Sequence, residues 1–474
     1  MNPPTAPMPR SHHPSPSPSP WSALIEPVRA ESRALLERNW AQLPTALRTP
    51  HQMLGRQGNG CGATIGAMPR CDFACRGCYL GEEANKIPAE GVEAIKAQLR
   101  ALRPILGPAG NLQLTDGEVT LRPEAEVIEL LRYARALELI PMLMTHGDSF
   151  RRRPGLLERL AVEGGLTEVS IHVDTTQRGR VGDFRHAKTE AELNPLRAEF
   201  AAMLRAARAT TGVNIRAATT MTITPENLGG VADVVRWLVE HPDAFFMISF
   251  QPIAQVGRTE DGLGDSVEVE ALWREIARGV YGDASAASVE RLLRGQKWLG
   301  HSACNRFVHG IVAKRAESAV FHPVRQKGDA VDARVVDAFL AKFGGISFRR
   351  DSKAVAVARA LGLVMRAPLF FARHVPVYAW HWLRRLGDGN AWRAARELAT
   401  GTMRPHGFLF VSHHFMSKAQ LETPLGQERV AQCVFTVPVN GELVSMCEVN
   451  ALGIRERYYA QIERPAKREP MAVA

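Results

Sequence analysis

Three cysteines stand at C-x3-C-x2-C spacing in Cys71-Asp72-Phe73-Ala74-Cys75-Arg76-Gly77-Cys78, inside the stretch Ala67–Gly81. Thiolates this close can converge on one point from a single loop and hold three irons of a cubane cluster. A fully ligated [4Fe–4S] cluster or a structural zinc takes four protein ligands. The iron left without a protein ligand is a place where a small molecule can bind and react. The same residues also fit half of a zinc site completed elsewhere, or small buried hydrophobes, since free cysteine is often buried.

Removing this triad from the seven cysteines leaves Cys61, Cys304, Cys433 and Cys447. Four is the number that closes a second [4Fe–4S] cluster or a mononuclear iron or zinc site. Cys61 lies ten residues before Cys71 with an expected strand between them. At ~3.3 Å per residue it falls at the far end of that strand, which suits a second site better than the first. Four unrelated core cysteines are the alternative.

The elements that must position these residues are legible as alternation of short apolar runs with helical segments, the signature of βα units and a parallel sheet. Expected strands are Ala63–Met68, Asn111–Thr115, Ile140–Thr145, Glu168–Val173, Asn214–Thr222 and Phe245–Gln251. In barrels of such units the chemistry gathers where the strands end. Ahead of them, residues 1–20 form a Pro/Ser-rich tail that cannot pack, and residues 21–59 a helical segment with Leu24, Val28, Leu35 and Leu36 as packing positions. The barrel is expected over 60–290 and a C-terminal domain over 291–474.

The chain has 474 residues, 45% of them hydrophobic, ample for two or three domains. Clustered cysteines fit a reducing compartment and metal ligation better than a disulfide framework, so a cytoplasmic location is expected. The net charge of +10 favours an anionic partner, a membrane surface or a phosphate among them. No recognition-helix or zinc-finger pattern supports nucleic-acid binding. No apolar run reaches the ~18 residues of a membrane span, and no apolar leader follows Arg10.

The cysteine loop resembles that of radical S-adenosylmethionine (SAM) enzymes. Gly77 stands where that family usually has an aromatic residue, and Tyr79 is a candidate to take over its contact. The resemblance implies an α/β fold, a partial (β/α)6 barrel with a C-terminal α+β extension. It also implies a [4Fe–4S] cluster whose open iron chelates SAM, reductive cleavage to a 5′-deoxyadenosyl radical, and a reductant such as flavodoxin or ferredoxin.

Motifs at the other strand ends extend the likeness. Thr115-Asp116-Gly117-Glu118-Val119 is similar to the family's Gly-Gly-Glu-Pro segment beside the SAM amino group, with Asp116 for the first glycine and Val119 for the proline. Asp-Gly is also common turn chemistry. Thr145-His146-Gly147-Asp148 resembles the family's Thr-Asn-Gly. Ser170, His172 and Asp174 share one strand face, which places His172 and Asp174 toward ribose or substrate, a packed core histidine being the alternative. Arg216, with Thr220 and Thr222, would suit the SAM carboxylate, and the segment around Gln251 would receive adenine.

Near the C-terminus, Ser412-His413-His414-Phe415-Met416, then Cys433, Gly441 and Cys447-Glu448-Val449-Asn450, resemble the end of radical SAM enzymes of the archaeal tetraether-lipid synthase type. Cys61 and the segment Gly300–Cys304 fit the same pattern. That resemblance implies an auxiliary iron site and C–C bond formation or methylation at an unactivated carbon, on a lipid alkyl chain. A heterocycle or a peptide is the alternative substrate, and a non-catalytic iron–sulfur or zinc protein the alternative from another class. Ala354–Arg385 alternates apolar and aromatic residues with arginine, as segments lying on anionic membranes do, with Pro368 and Pro376 expected to break it into short pieces.

Overall fold

A computed structural model describes residues 29–463, apart from 181, 261–262, 264–265, 326–328 and 347–352. The Pro/Ser-rich tail and the first packing positions, Leu24 and Val28, lie outside the described residues. Helix Ala30–Gln42 buries Leu35 and Leu36 as expected.

The six expected strands form β1 (Cys61–Ala63), β2 (Asn111–Leu114), β3 (Ile140–Thr145), β4 (Glu168–His172), β5 (Arg216–Ile223) and β6 (Phe245–Pro252), all parallel. Later strands join both edges: β7 (Asn305–Lys314), β8 (Ala319–Pro323) and β9 (Arg404–His413) beyond β6, β10 (Phe435–Val439) and β11 (Glu442–Ser445) beyond β1. The order is β11-β10-β1-β2-β3-β4-β5-β6-β9-β7-β8. Because β9 runs parallel to β6 and β10 parallel to β1, the parallel barrel extends past six strands into the C-terminal region. The sheet curls so that the segment following β9 reaches β10. Phe415, just after β9, packs on Phe435 of β10 with ring centroids 6.3 Å apart.

Helices cover the outer face. In Val231–Glu240 the residues Val231, Val234, Val235 and Leu238 are all buried, the i, i+3, i+4, i+7 spacing of one helical face. Each such side chain contributes about 1.5–3 kcal/mol on burial. β1 shares only Ala63 with the expected run Ala63–Met68 and lies ahead of it, because the backbone of Ile65 pairs with the side chain of Gln98 at 2.9 and 2.8 Å instead of with a neighbouring strand. The chain is thereby released into the cysteine loop.

Pro376 does not break the basic segment. Helices Lys353–Arg366 and Pro368–Leu386 run through it, with Pro368 in the first turn, where its missing N–H costs nothing, and Pro376 at an exposed interior position. No helix among the described residues is long and apolar enough to cross a membrane.

Candidate functional site

The loop after β1 lies over the C-terminal ends of the parallel strands and closes a cavity of about 150 Å³. Cys71, Cys75 and Cys78 line it, with Gly117, Glu118, Thr145, His146, Ser170, His172, Thr220, Thr222 and Gln251 from the ends of β2 to β6. Residues widely separated in sequence converge because parallel strands deliver all their C-terminal loops to one side.

The donor set fits an iron–sulfur cluster. Burial, then Cys78 and Asp174, push the Cys75 thiol up to about 12. Burial, then Cys75 and Glu118, push Cys71 higher still, and burial raises Cys78. Three crowded, desolvated thiols resist ionising alone, and a cationic metal centre that binds thiolate offsets that cost. Among the described residues no three cysteine sulfurs lie within 4.8 Å of one another. A single zinc at about 2.3 Å from each sulfur needs them closer, so the cup suits a cluster. Cys71, Asp72 and His146 do fall within that span, but Asp72 already pairs with Arg152 and His146.

Glu118 is fixed as an acceptor. Its carboxylate receives the Thr120 and Thr145 hydroxyls, the latter at 2.7 Å, and the His146 backbone N–H at 2.9 Å, in a site where it is 1% exposed. Gly117 beside it has φ +85, and a Cβ there would stand 2.4, 2.6 and 2.7 Å from the carbonyl oxygens of Met68, Pro69 and Arg70. Only glycine lets the two loops approach so closely.

His146 joins the strand ends to the cysteine loop. Its Nδ1 accepts the Asp148 N–H at 3.1 Å, so Nε2 carries the proton and donates to Asp72 at 2.7 Å. Its ring stacks on Phe73 with centroids 3.8 Å apart. This brace between the first two cysteines was missed in the sequence, although Asp72-Phe73 inside the motif was the available signal. His172 lines the cavity and meets Asp174 at 2.5 Å. Asp174 itself sits behind it. Burial alone would raise its carboxyl, but His172, Thr176 and the Thr222 N–H hold it at about 2.

Two expected cofactor contacts are corrected. Arg216 opens β5 at the opposite end of the strand from Thr222, roughly 20 Å away at strand rise. There its guanidinium lies over the Phe246 ring at 4.0 Å and 3.8 Å from Glu168. Asp116 does not line the cavity; its carboxylate turns inward to Arg455, the Gly66 N–H and the Tyr459 hydroxyl. Gly117, Glu118, His172 and Gln251 do line it.

The four remaining cysteines lie within electrostatic reach of one another, Cys61 at the start of β1, Cys304 and Cys433 just before β7 and β10, and Cys447 just after β11. Cys61 opens β1, and its N–H bonds Val434 O at 2.9 Å, one residue past Cys433. Burial and then Cys433 push Cys61 up to about 12; burial, with Cys447 and Cys304 nearby, does the same to Cys433, and Cys447 reaches about 11 by burial with Cys304 adjacent. Arg429 Nε donates to Cys304 Sγ at 3.4 Å. A second cavity of about 100 Å³, lined by Tyr79, Met144, Gln251, Phe415, Phe435, Met446 and Asn450, lies in the lumen beside the first.

Residues 65–238 match the model of the Radical SAM superfamily. Among solved structures, SuiB from Streptococcus suis is 15% identical, with a TM-score of 0.34 over 45% of this chain and 44% of that one. Native anSMEcpe with bound AdoMet is 12% identical, with a TM-score of 0.31 over 52% of this chain and 73% of that one. The chain thus spans less than half the length of SuiB. No curated protein matches the sequence. The cysteine loop over a parallel barrel and the matched span lead to one conclusion: residues 65–238 are a radical SAM superfamily domain, the domain of an enzyme.

Proposed function

We propose that this protein cleaves SAM reductively at a [4Fe–4S] cluster held by Cys71, Cys75 and Cys78, and directs the resulting radical at an unactivated carbon of an alkyl-chain substrate. Cluster and SAM together supply the hydrogen-abstracting power. The chain's own residues do the rest. Glu118 offers a fixed carboxylate to the SAM ammonium, Gly117 lets that turn approach the cysteine loop, and Gln251 and His172 present polar groups to the remainder of SAM. The observation that carries the reading is the convergence of the three thiols and Glu118 on one cavity.

Beyond it lies the lumen with Met144, Phe415, Phe435 and Met446, apolar surroundings that suit a hydrocarbon and keep water from a radical. Cys61, Cys304, Cys433 and Cys447 would hold an auxiliary cluster at its far side. A cleft of about 420 Å³ that includes Cys61 and Cys433 gives access for electrons. Substrate access is supported by helices Lys353–Arg366 and Pro368–Leu386, where Met365 and Leu369 are 76% and 85% exposed and no acidic residue occurs between Lys353 and Gly387. Such a face suits an anionic lipid surface, and the outcome on the substrate would be C–C bond formation or methylation.

The test is anaerobic reconstitution with iron and sulfide, reduction in the presence of SAM, and assay for 5′-deoxyadenosine with iron counting. Deoxyadenosine and about eight irons per chain, falling to about four in Cys433→Ala without loss of the first cluster's signal, are expected. An intact reduced cluster that cleaves no SAM with lipid, peptide or heterocycle substrates present would overturn the reading.

A further inference from the structure

Arg455 is buried to 1% in helix Ile454–Glu463, far in sequence from everything its guanidinium touches within the barrel. It pairs with Asp116, in the turn that carries Gly117 and Glu118. It lies 4.8 Å over the ring of Tyr79, the residue after Cys78. Its Nε and second terminal nitrogen donate to Asn450 Oδ1 at 3.2 and 2.9 Å, on helix Met446–Ala451, which carries Cys447. One cation thus joins the turn at the end of β2, the cysteine loop and the C-terminal segment.

The turn needs such a hold. Asp116 adopts φ +120, a conformation costly for any residue with a Cβ, and it keeps its charged side chain 0% exposed. Both costs persist only where surroundings over-determine the geometry, and here Arg455, the Gly66 N–H and the Tyr459 hydroxyl (2.7 Å) do so. Without Arg455 the carboxylate would be stranded in the interior, and the turn would relax toward an ordinary backbone. Glu118, two residues on, would move with it.

We propose that Arg455 is a positioning residue for SAM: docking of the C-terminal helix, through Arg455 and Asp116, sets the strained turn that presents Glu118 to the cofactor. This rests on the reading of the cavity as a SAM site. It makes the SAM half of the enzyme answerable to the segment that carries Cys447, so the SAM site is completed only when the C-terminal segment is in place.

The test compares Arg455→Gln with the double variant Arg455→Gln/Asp116→Gly, both reconstituted, by equilibrium dialysis of SAM and by the cluster's iron content and absorption spectrum. Glycine adopts φ +120 freely and removes the stranded carboxylate, so it no longer needs the latch. The single variant is expected to keep its cluster and lose roughly two- to thirtyfold in SAM affinity; the double is expected to regain most of it. An R455Q protein that binds SAM as wild type does, or a double variant as weak as the single, overturns the proposal. If R455Q does not fold, Arg455→Lys decides instead: an ammonium that reaches Asp116 keeps the latch although it cannot also fork to Asn450, so SAM affinity near wild type is expected, and a loss of roughly tenfold or more with a full cluster overturns the proposal. Wild-type protein that takes up a cluster but binds no SAM overturns both this role and the proposed function; wild-type binding with unaltered variants overturns this role alone.

Discussion

Replacing Glu118 by glutamine separates the carboxylate's charge from its shape. The side chain accepts the Thr120 and Thr145 hydroxyls with one oxygen and the His146 N–H with the other. Two donors cannot reorient, the His146 N–H on one oxygen and the Thr120 N–H at 3.3 Å from the other, so a glutamine that turns its carbonyl to the first sets its NH2 against the second, while the hydroxyls can rotate to accept. The fold therefore loses one buried backbone hydrogen bond, and a fall in stability of about 1–3 kcal/mol is expected. The SAM ammonium, in contrast, loses a charge-assisted hydrogen bond worth about 1.5–3 kcal/mol, or roughly ten- to a hundredfold in Kd. Equilibrium dialysis of SAM against reconstituted wild type and E118Q, beside urea unfolding of both, reads the two quantities independently. Unchanged SAM affinity with a full cluster would refute the assignment of Glu118, and a larger fall in stability would refute the account of its hydrogen bonds.

Gly117→Ala forces a Cβ to within 2.4–2.7 Å of three backbone carbonyls just before Cys71, and is expected to cost several kcal/mol and to lower iron uptake on reconstitution. Asp174 is held at about 2 against an ordinary 3.8, so its stabilisation is fully present above the ordinary value and is lost as the pH falls through 2. That is worth on the order of 2 kcal/mol; urea midpoints followed down the pH scale should fall less steeply below pH 4 in Asp174→Asn than in wild type, and parallel curves would count against it. Leu369→Ser with Met365→Ser is expected to reduce co-sedimentation with phosphatidylserine vesicles while leaving the circular dichroism spectrum unchanged, since both side chains are exposed.

Strands β2 to β6 were readable because each is a short apolar run bounded by polar turns, and their C-terminal residues had to share one side of the sheet. The triad and Glu118 follow from that geometry and motif together. Arg216 misled because an arginine on a barrel strand looks like an anion ligand, yet the strand had two ends and the residue stood at the wrong one. Asp116 misled for a different reason. Its partner Arg455 is 339 residues away, and nothing local announces such a pairing. The edges contributed by β9 and β10 were equally invisible, since register across a parallel sheet is set by contacts between distant segments.

The pairing of β1 with β10 has a consequence in time. Ribosomes deliver a chain from its N-terminus, and domains begin folding as they emerge. Here the first strand of the barrel waits for a neighbour that lies 374 residues further along the chain (Cys61 opposite Phe435), and until then it presents an open edge that could template pairing with another chain. Cys61 likewise has no Cys433 to face until a further 372 residues have been synthesised. Any metal bound between them is loaded only after that later segment has emerged, and slow or interrupted synthesis is expected to yield barrels that are aggregation-prone along that one edge.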